Sequence, residues 1–237
     1  MKSTKNKKKD FFESDFRFER KFVIEKMKID EIKFMVKLHP FAFSEIYNCR
    51  FVNNIYFDSF SFKNYKENIE GSYHRFKIRV RWYGELFGEI RNPILEIKIK
   101  NGLLGKKISL PLKNFHLNRK INLNTILGPN IEIKKKLNID LRDFKPKLLN
   151  RYKREYYLSY NKKYRITIDD KQIFYNLKNK NNLFLNYYKN YDTKILEIKY
   201  EKDFDNEISS LTSKFPFRLS KNSKYLTGIQ RVWQLYN

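Results

Sequence analysis

The chain has 237 residues, of which 41% are hydrophobic, and this length is enough to bury the core of one large domain. It carries 51 Lys and Arg residues against 26 Asp and Glu residues, and the net charge of +25 points to an anionic partner such as nucleic acid, a membrane surface or a phosphate-rich ligand. Cys49 is the only cysteine, which excludes an internal disulfide and a thiolate zinc cluster. No apolar run of about 18 residues is present, so we expect a soluble, cytoplasmic domain over residues 15–237 that follows a basic, flexible leader at residues 1–14.

The first predicted elements are a strand and a helix. Residues 15–25 alternate between charged and apolar side chains, which indicates a strand. Residues 30–38 show helical spacing, with Asp30 as the N-cap and Pro40 after the end. A further extended segment is expected at residues 49–58.

The most informative segment follows, at residues 73–83. Basic and apolar side chains alternate along it: Arg75, Lys77, Arg79 and Arg81 are separated by Phe76, Ile78 and Val80. Because successive side chains of a strand point to opposite faces, this spacing places four cations on one face. Neighbouring like charges repel each other, and an ordinary solvated face mixes signs, so this face is expected to bind a polyanion.

The middle of the chain predicts a hairpin and a long polar stretch. Strands are expected at residues 93–100 and 105–111, and Asn101-Gly102 is a typical hairpin turn between them. The Asn- and Lys-rich stretch from 113 to 142 is expected to contain one helix, near residues 130–138.

The last third of the chain predicts strands again, followed by helices. Three strands are expected at residues 150–160, 163–169 and 171–176, with a tight turn at Asn161-Lys162. Residues 177–193 are predicted to form a low-complexity loop. The final elements are a strand at 194–201, a helix starting near Asp205 and a terminal helix starting around Ser223.

This order of elements indicates an α+β fold with a mostly antiparallel sheet of about eight strands. Five of the strands carry one apolar and one charged face. The pattern fits either an open sheet with its charged face in water, or an eight-stranded β-barrel, flanked by short helices, whose interior forms a charged tunnel. We favour the tunnel because the basic row at residues 75–81 contains no acidic residue.

Seven segments, taken in order, resemble the VTC domain, the polyphosphate polymerase branch of the CYTH or triphosphate tunnel metalloenzyme superfamily. They are RFERKF, FKIRVRWYG, LEIKIK, RYKREYYLSY, YRITID, LEIKY and SKNSKYLTG, and they span roughly residues 15–230. The resemblance implies an enzyme that uses Mn²⁺ or Mg²⁺ to transfer the γ-phosphate of ATP to polyphosphate or pyrophosphate. It also implies a membrane-protein partner encoded separately, through which the domain associates with a membrane.

The resemblance assigns roles to individual residues. The basic phosphate ligands, expected to be catalytic, correspond to Lys21, Arg79, Arg81, Lys98, Arg154, Arg165 and Lys224. The residues expected to bind substrate are Lys77, Lys100, Lys106, Tyr152, Lys199 and Ser223, with Tyr152 in the place of an aromatic residue that contacts the nucleobase and Lys107 as the alternative to Lys106. Glu197 corresponds to the metal-ligating glutamate. Arg17 replaces the first glutamate of the family's ExExK motif, and this departure favours the polymerase over a metal-dependent triphosphatase.

The expected chemistry suits these side chains. Arginine grips phosphate oxygens at two points and keeps its charge, and each charge-assisted hydrogen bond contributes about 1.5–3 kcal/mol. Positioning and charge neutralisation supply most of the catalysis of phosphoryl transfer.

Alternative functions and roles stay open at this point. The tunnel could belong to a triphosphate hydrolase or to a domain that binds polyphosphate without making it. Glu197 could pair with neighbouring cations instead of a metal, Tyr152 could serve packing, and Asp169 could end its strand through turn hydrogen bonds. A nucleic-acid partner is not expected, because Phe76 and Trp82 lie opposite the basic row and could not stack bases beside it.

Overall fold

The computed structural model describes residues 17–101, 104–118, 122, 126–127, 141–177, 184 and 186–233. The predicted leader at residues 1–14 and the predicted helix near residues 130–138 lie outside this part of the chain.

The described part contains a large number of strands and a few short helices. The strands are β1 (Arg17–Ile24), β2 (Ser44–Asp58), β3 (His74–Tyr83), β4 (Gly88–Ile90), β5 (Ile94–Asn101), β6 (Leu104–Pro111), β7 (Phe115–Leu117), β8 (Lys145–Leu158), β9 (Tyr164–Asn176), β10 (Tyr187–Asn190) and β11 (Lys194–Glu201). The α-helices are α1 (Ile29–Lys37), α2 (Lys63–Glu70), α3 (Ile208–Thr212) and α4 (Lys224–Trp233).

Most strands form one antiparallel sheet. Its order is β1-β11-β9-β8-β2-β3-β5-β6, with β10 attached to β9, while β4 and β7 form a separate pair. The predicted α+β class and mostly antiparallel sheet are therefore confirmed.

Backbone hydrogen bonds do not close this sheet into the predicted barrel. In the part of the chain that the structure describes, β1 and β6 are the two ends of the strand order and do not pair. The free edge of β1 is bonded instead by the segment before α4, since Ser220 N donates to Lys21 O at 2.8 Å and Leu219 forms a bridge with Phe22.

The sheet is nevertheless curled so that its distant strands face each other. Lys98 Nζ of β5 lies 3.2 Å from Glu19 Oε1 of β1, although five strands separate β1 from β5 in the sheet order. Right-handed twist and the register shifts in β2 and β8 account for this curvature, because a bulge bends its strand and increases the local twist. Side chains of distant strands face each other across the concave side, and we call the space that they line the tunnel.

The two sides of the sheet differ as the alternation predicts. Ile78, Val80 and Trp82 of β3 are buried in a core on the convex side, together with residues of β5. A second core lies between β1, β9 and β11 and the helices α1 and α3, and a third lies under α2 and α4. The helices thus cover apolar faces, and the charged faces turn towards the tunnel.

Several element boundaries differ from the sequence predictions. Helix α1 begins at Ile29, so Asp30 lies in the first turn; the N-cap is Lys28, whose N–H donates to Glu31 Oε2 at 2.9 Å. The two strands predicted at residues 163–169 and 171–176 form one continuous strand, β9, which begins at Tyr164 and passes Lys171 with a φ of +49°.

Three further elements were not predicted at their positions. Strand β8 begins at Lys145 rather than near residue 150, because residues 145–149 pair with the end of β2. Strand β10 lies within the predicted loop at 177–193, and Tyr188 stacks there on Phe174 of β9. Helix α2 begins where the buried Asp58 carboxylate accepts hydrogen bonds from the N–H groups of Asn64 and Tyr65. None of the described helices combines the length and apolar character needed to cross a membrane.

Candidate active site

Basic side chains from six strands and one helix converge in the tunnel. They are Lys21, Arg75, Lys77, Arg79, Arg81, Lys98, Lys100, Lys107, Arg154, Lys199 and Lys224, and the carboxylates among them are Glu19, Glu96, Asp169 and Glu197. The cations therefore outnumber the carboxylates, and the tunnel carries an excess of positive charge that would attract an anion.

We call these basic side chains and carboxylates the array. Its first part is organised around Glu96. Its Oε2 lies 2.6 Å from Arg79 Nη2 and 3.5 Å from Arg81 Nη1, and its Oε1 lies 3.4 Å from Lys107 Nζ. Burial alone would raise the pKa of Glu96, but Arg79, Arg81 and Lys107 lower it to about 2. One ionised carboxylate therefore holds three cations in place and leaves most of their charge uncompensated.

The second part is organised around Asp169, which is fully buried. Arg154 Nη2 donates to Asp169 Oδ2 at 2.7 Å, and Lys224 Nζ approaches the same oxygen. Burial alone would raise the pKa of Asp169, but Arg154 and Lys224 lower it. Asp169 does not end a strand, as one of the sequence hypotheses held, but fixes two predicted phosphate ligands.

Tyr152 lies beneath these cations and does not reach the open tunnel. It is only 1% exposed, its ring centroid lies 4.6 Å from Lys224 Nζ and 5.1 Å from Arg154 Cζ, and its hydroxyl accepts a hydrogen bond from Arg81 Nη2 at 3.3 Å. Such cation–π contacts position charged groups over the ring. The ring of Tyr152 is thus covered by two cations in this geometry, and its contact with a nucleobase stays a prediction.

The third part joins β1, β11 and β5. Lys21 Nζ lies 3.5 Å from both Glu19 Oε2 and Glu197 Oε2, and Lys199 Nζ lies 2.8 Å from Glu197 Oε1. Burial alone would raise the pKa of Glu197, but Lys199, Lys21 and Arg154 keep it well below its usual value. Glu197 is therefore an ionised, buried carboxylate that pairs with cations, and Glu19 is the second carboxylate beside it.

Lys77 is the basic residue whose charge the tunnel disfavours. Burial lowers its pKa to about 7, with further lowering by Lys21, Lys98, Lys100 and Arg75. Its Nζ donates to Ser223 Oγ at 3.0 Å, and no carboxylate contacts it among the described residues. Mutual repulsion of this kind shows that the cations share one small volume, where an added anion would be stabilised.

Helix α4 brings Ser223 and Lys224 to the tunnel. The Tyr225 hydroxyl donates to the buried Asp58 carboxylate, and Trp233 Nε1 donates to Lys147 O at 2.8 Å. Gly228 faces the core so closely that a Cβ atom there would lie 2.4 Å from Leu148 Cδ2. Helix α4 therefore packs closely against the core at Gly228, and this packing fixes the position of Ser223 and Lys224 at the start of the helix.

Most of the residues predicted for the site are brought together, with two exceptions. Arg165 is the register partner of Lys199 and so lies on the same face, but it is exposed and makes no hydrogen bond or ion pair with any described residue. The register puts Lys107 opposite Lys98 and Lys106 opposite Ile99, so Lys107 takes the place expected for Lys106, whose side chain lies outside the description.

Sequence reasoning missed several polar residues that support the array. Asn54 Oδ1 accepts a hydrogen bond from Arg81 Nε at 2.9 Å, and the Tyr56 hydroxyl accepts one from Arg79 Nη1 at 3.3 Å. Asn54 is fully buried. Two adjacent asparagines, Asn53 and Asn54, within the otherwise apolar stretch Phe51–Phe57 were the available signal, since buried polar groups need partners.

Comparisons with known proteins identify a family pattern and several solved structures to which this chain is similar. The sequence pattern described as the VTC domain matches residues 16–233. A Bacillus halodurans protein, provisionally described as an adenylate cyclase, superposes with a TM-score of 0.50 at 15% identity and covers 92% of this chain and 97% of its own. A Pyrococcus horikoshii protein gives 0.49 at 16% identity, covering 90% of this chain and 97% of its own.

One further solved structure is similar over most of its length. A Hippeastrum protein described as having a dominant triphosphatase activity gives a TM-score of 0.45 at 10% identity, with 88% of this chain and 93% of its own covered. No curated protein matches the sequence. Because the family pattern spans nearly the whole chain, the protein belongs to the VTC domain family.

Proposed function

We propose that this protein is a polyphosphate polymerase that transfers the γ-phosphate of ATP to the end of a polyphosphate chain held in the tunnel. The observation that supports this proposal is the convergence of basic side chains from opposite parts of a curled sheet, with four carboxylates among them in the described part of the chain. A chain of linked phosphates matches such a passage in both shape and repeated negative charge.

The proposed reaction needs no deprotonated side chain as nucleophile. An anionic oxygen of the terminal phosphate of the chain attacks the γ-phosphorus of ATP, the bond from that phosphorus to the β–γ bridging oxygen breaks, and ADP leaves. Charge on the transferred phosphoryl group is what the protein must stabilise.

The arginines are pre-organised for this task. Glu96 and Tyr56 hold Arg79, and Asn54 and Tyr152 hold Arg81. Burial alone would lower the pKa of Arg79, but Tyr56 and Glu96 raise it above its usual value, so the guanidinium stays charged. Donors fixed before the reaction stabilise developing charge without a cost of reorganisation.

A divalent cation fits the carboxylates of Glu197 and Glu19. Both face Lys21, and both supply the hard oxygen ligands that Mg²⁺ and Mn²⁺ prefer. The described residues contain no group of three or more His, Cys, Asp or Glu side chains that could enclose a metal ion, so phosphate oxygens and water would complete the ligands. When bound, such a cation would neutralise part of the phosphate charge.

A tunnel hydrolase is the second candidate and would use the same phosphate-binding array with water as the nucleophile. The two carboxylates near Lys21 are the observation that favours it. Arg17, at the position of an expected acidic metal ligand, favours the polymerase.

Incubation of the purified protein with ATP, Mn²⁺ and a pyrophosphate primer, followed by gel analysis, tests the proposal. Long polymer supports the polymerase, orthophosphate alone supports the hydrolase, and binding without turnover supports a domain that only holds polyphosphate. The Arg79→Ala, Arg81→Ala double variant should lose polymer formation and keep its circular dichroism spectrum. The control is Lys113→Ala with Lys171→Ala, which removes two exposed cations outside the array. Unchanged synthesis by the double arginine variant would refute the assigned site.

The membrane-protein partner and the cellular location expected from the resemblance stay predictions.

A further inference from the structure

A cluster of aromatic rings around one arginine lies beside the phosphate-binding array and is not used by it. We call it the mouth cluster: Tyr47 and Arg50 of β2, Tyr83 of β3 and Tyr156 of β8. Arg50 Cζ lies 4.2 Å from the ring centroid of Tyr83, 5.0 Å from that of Tyr156 and 5.5 Å from that of Tyr47. Tyr83 and Tyr47 are 42% and 53% exposed, so their rings are open to solvent.

The mouth cluster is continuous with the array through β8. Arg50 is the register partner of Arg154, and residues directly opposite each other on paired strands project to the same face. The Tyr156 hydroxyl accepts a hydrogen bond from Arg50 Nε at 3.3 Å, two residues beyond Arg154. The cluster therefore begins where the tunnel cations end.

The chemistry of the cluster differs from that of the rest of the tunnel. Arg50 is surrounded by three tyrosine rings and makes no ion pair within the described part of the chain, whereas Arg79, Arg81 and Arg154 of the array all contact carboxylates. A guanidinium stacked on tyrosine rings presents a flat surface that is both π-rich and cationic. Flat heterocyclic bases stack on such surfaces, and any of the nucleobases can do so because every base has a π-face.

We propose that the mouth cluster binds the nucleobase of ATP, with the triphosphate extending from Arg50 towards Arg154 and Arg81. This inference rests on the proposed function for its triphosphate ligand and gives the base a location other than the buried ring of Tyr152. Tyr83 and Tyr47 act as binding residues, and Tyr156 positions Arg50.

Calorimetry with ATP and with methyl triphosphate tests this inference, because the two ligands carry similar charge and only ATP has a base. In the wild-type protein ATP should bind about 10-fold or more tightly than methyl triphosphate. Tyr83→Ala and Tyr47→Ala should each reduce that ratio and leave the affinity for methyl triphosphate unchanged. Tyr83→Phe should keep the ratio, since it keeps the ring. Tyr73→Ala is the control, because Tyr73 is 63% exposed and precedes the opposite end of β3.

The outcomes separate the two proposals. Equal wild-type affinities for the two ligands would overturn the nucleobase site and leave the phosphate site intact. If Tyr83→Ala and Tyr47→Ala lowered the affinities for ATP and for methyl triphosphate equally, the nucleobase site would also be overturned, because the two tyrosines would then have a structural role. Binding of neither ligand by the wild-type protein would instead overturn the proposed function, and this comparison needs no variant to fold.

Discussion

Replacing Asp169 by asparagine should destabilise the protein in a way that phosphate reverses. The change removes the carboxylate that both Arg154 and Lys224 contact, and all three groups are buried or nearly so. Removing one partner of a buried ion pair costs about 3–5 kcal/mol, because the remaining charge stays desolvated. For a domain of this size each kcal/mol corresponds to about 2–4 °C in Tm, so the expected fall is roughly 6–20 °C.

Inorganic triphosphate should recover much of this loss. In the Asp169→Asn variant the two cations have no carboxylate at that position, so an added polyanion takes its place and binds more tightly than in the wild-type protein. A ligand at a hundred times its Kd stabilises by about 2.7 kcal/mol. Thermal melts with and without triphosphate should therefore show a larger gain in Tm for the variant than for the wild-type protein.

The pH dependence has a defined sign. The folded-state pKa of Asp169 is lowered from the ordinary value of 3.8, so its contribution is fully present above that value and is lost as the pH falls. The difference in stability between wild-type protein and variant should accordingly shrink below pH 3.8.

Asp170→Asn is the matched control for this experiment. Asp170 is the next residue of the same strand, but it lines a small cavity beneath α1 on the convex side of the sheet, with Lys33 and Glu155. It should show a much smaller loss of stability and no added gain with triphosphate. If both variants lost the same stability, or if triphosphate stabilised Asp169→Asn no more than the wild-type protein, the reasoning about the buried array would be refuted.

Lys77, Glu96 and the packing of α4 give three further tests. The pKa of Lys77 is about 7, and bound phosphate should raise it, so the binding of triphosphate at alkaline pH should be accompanied by proton uptake. Calorimetry in buffers of different ionisation heat measures this uptake. The Lys77→Met variant should lose the uptake, and the control Lys113→Met should keep it. Since the pKa of Glu96 falls from 4.5 to about 2, Glu96 should account for about 3 kcal/mol of the stability in urea that the wild-type protein loses between those pH values, and a Glu96→Gln variant with an equally steep drop would contradict this account. The Gly228→Ala variant should have a free energy of unfolding in urea that is lower by about 1–3 kcal/mol, because the added Cβ would overlap buried side chains. It should also give a lower yield of polymer. The control Gln230→Ala, at an exposed position, should change neither quantity.

The sequence by itself determined most strands of the large sheet and which of their faces are charged, but not the short strands β4, β7 and β10. Alternation is a local property with a period of two residues, so the row from Arg75 to Arg81 could be assigned to one face without knowledge of its neighbours. The same local patterns carry the family resemblance, and they selected Lys21, Arg154 and Glu197, which the structure brings close together.

Only the tertiary structure decided how these faces meet. Three features depend on contacts between residues far apart in the chain. They are the occupation of the β1 edge by Leu219 and Ser220, the position of Lys107 opposite Lys98, and the burial of Tyr152 beneath two cations. The role of Asp169 is of the same kind, since its partners come from β8 and from α4. A one-residue change of register reverses which face a side chain occupies, and register between distant strands is set by packing of the whole sheet rather than by any local pattern.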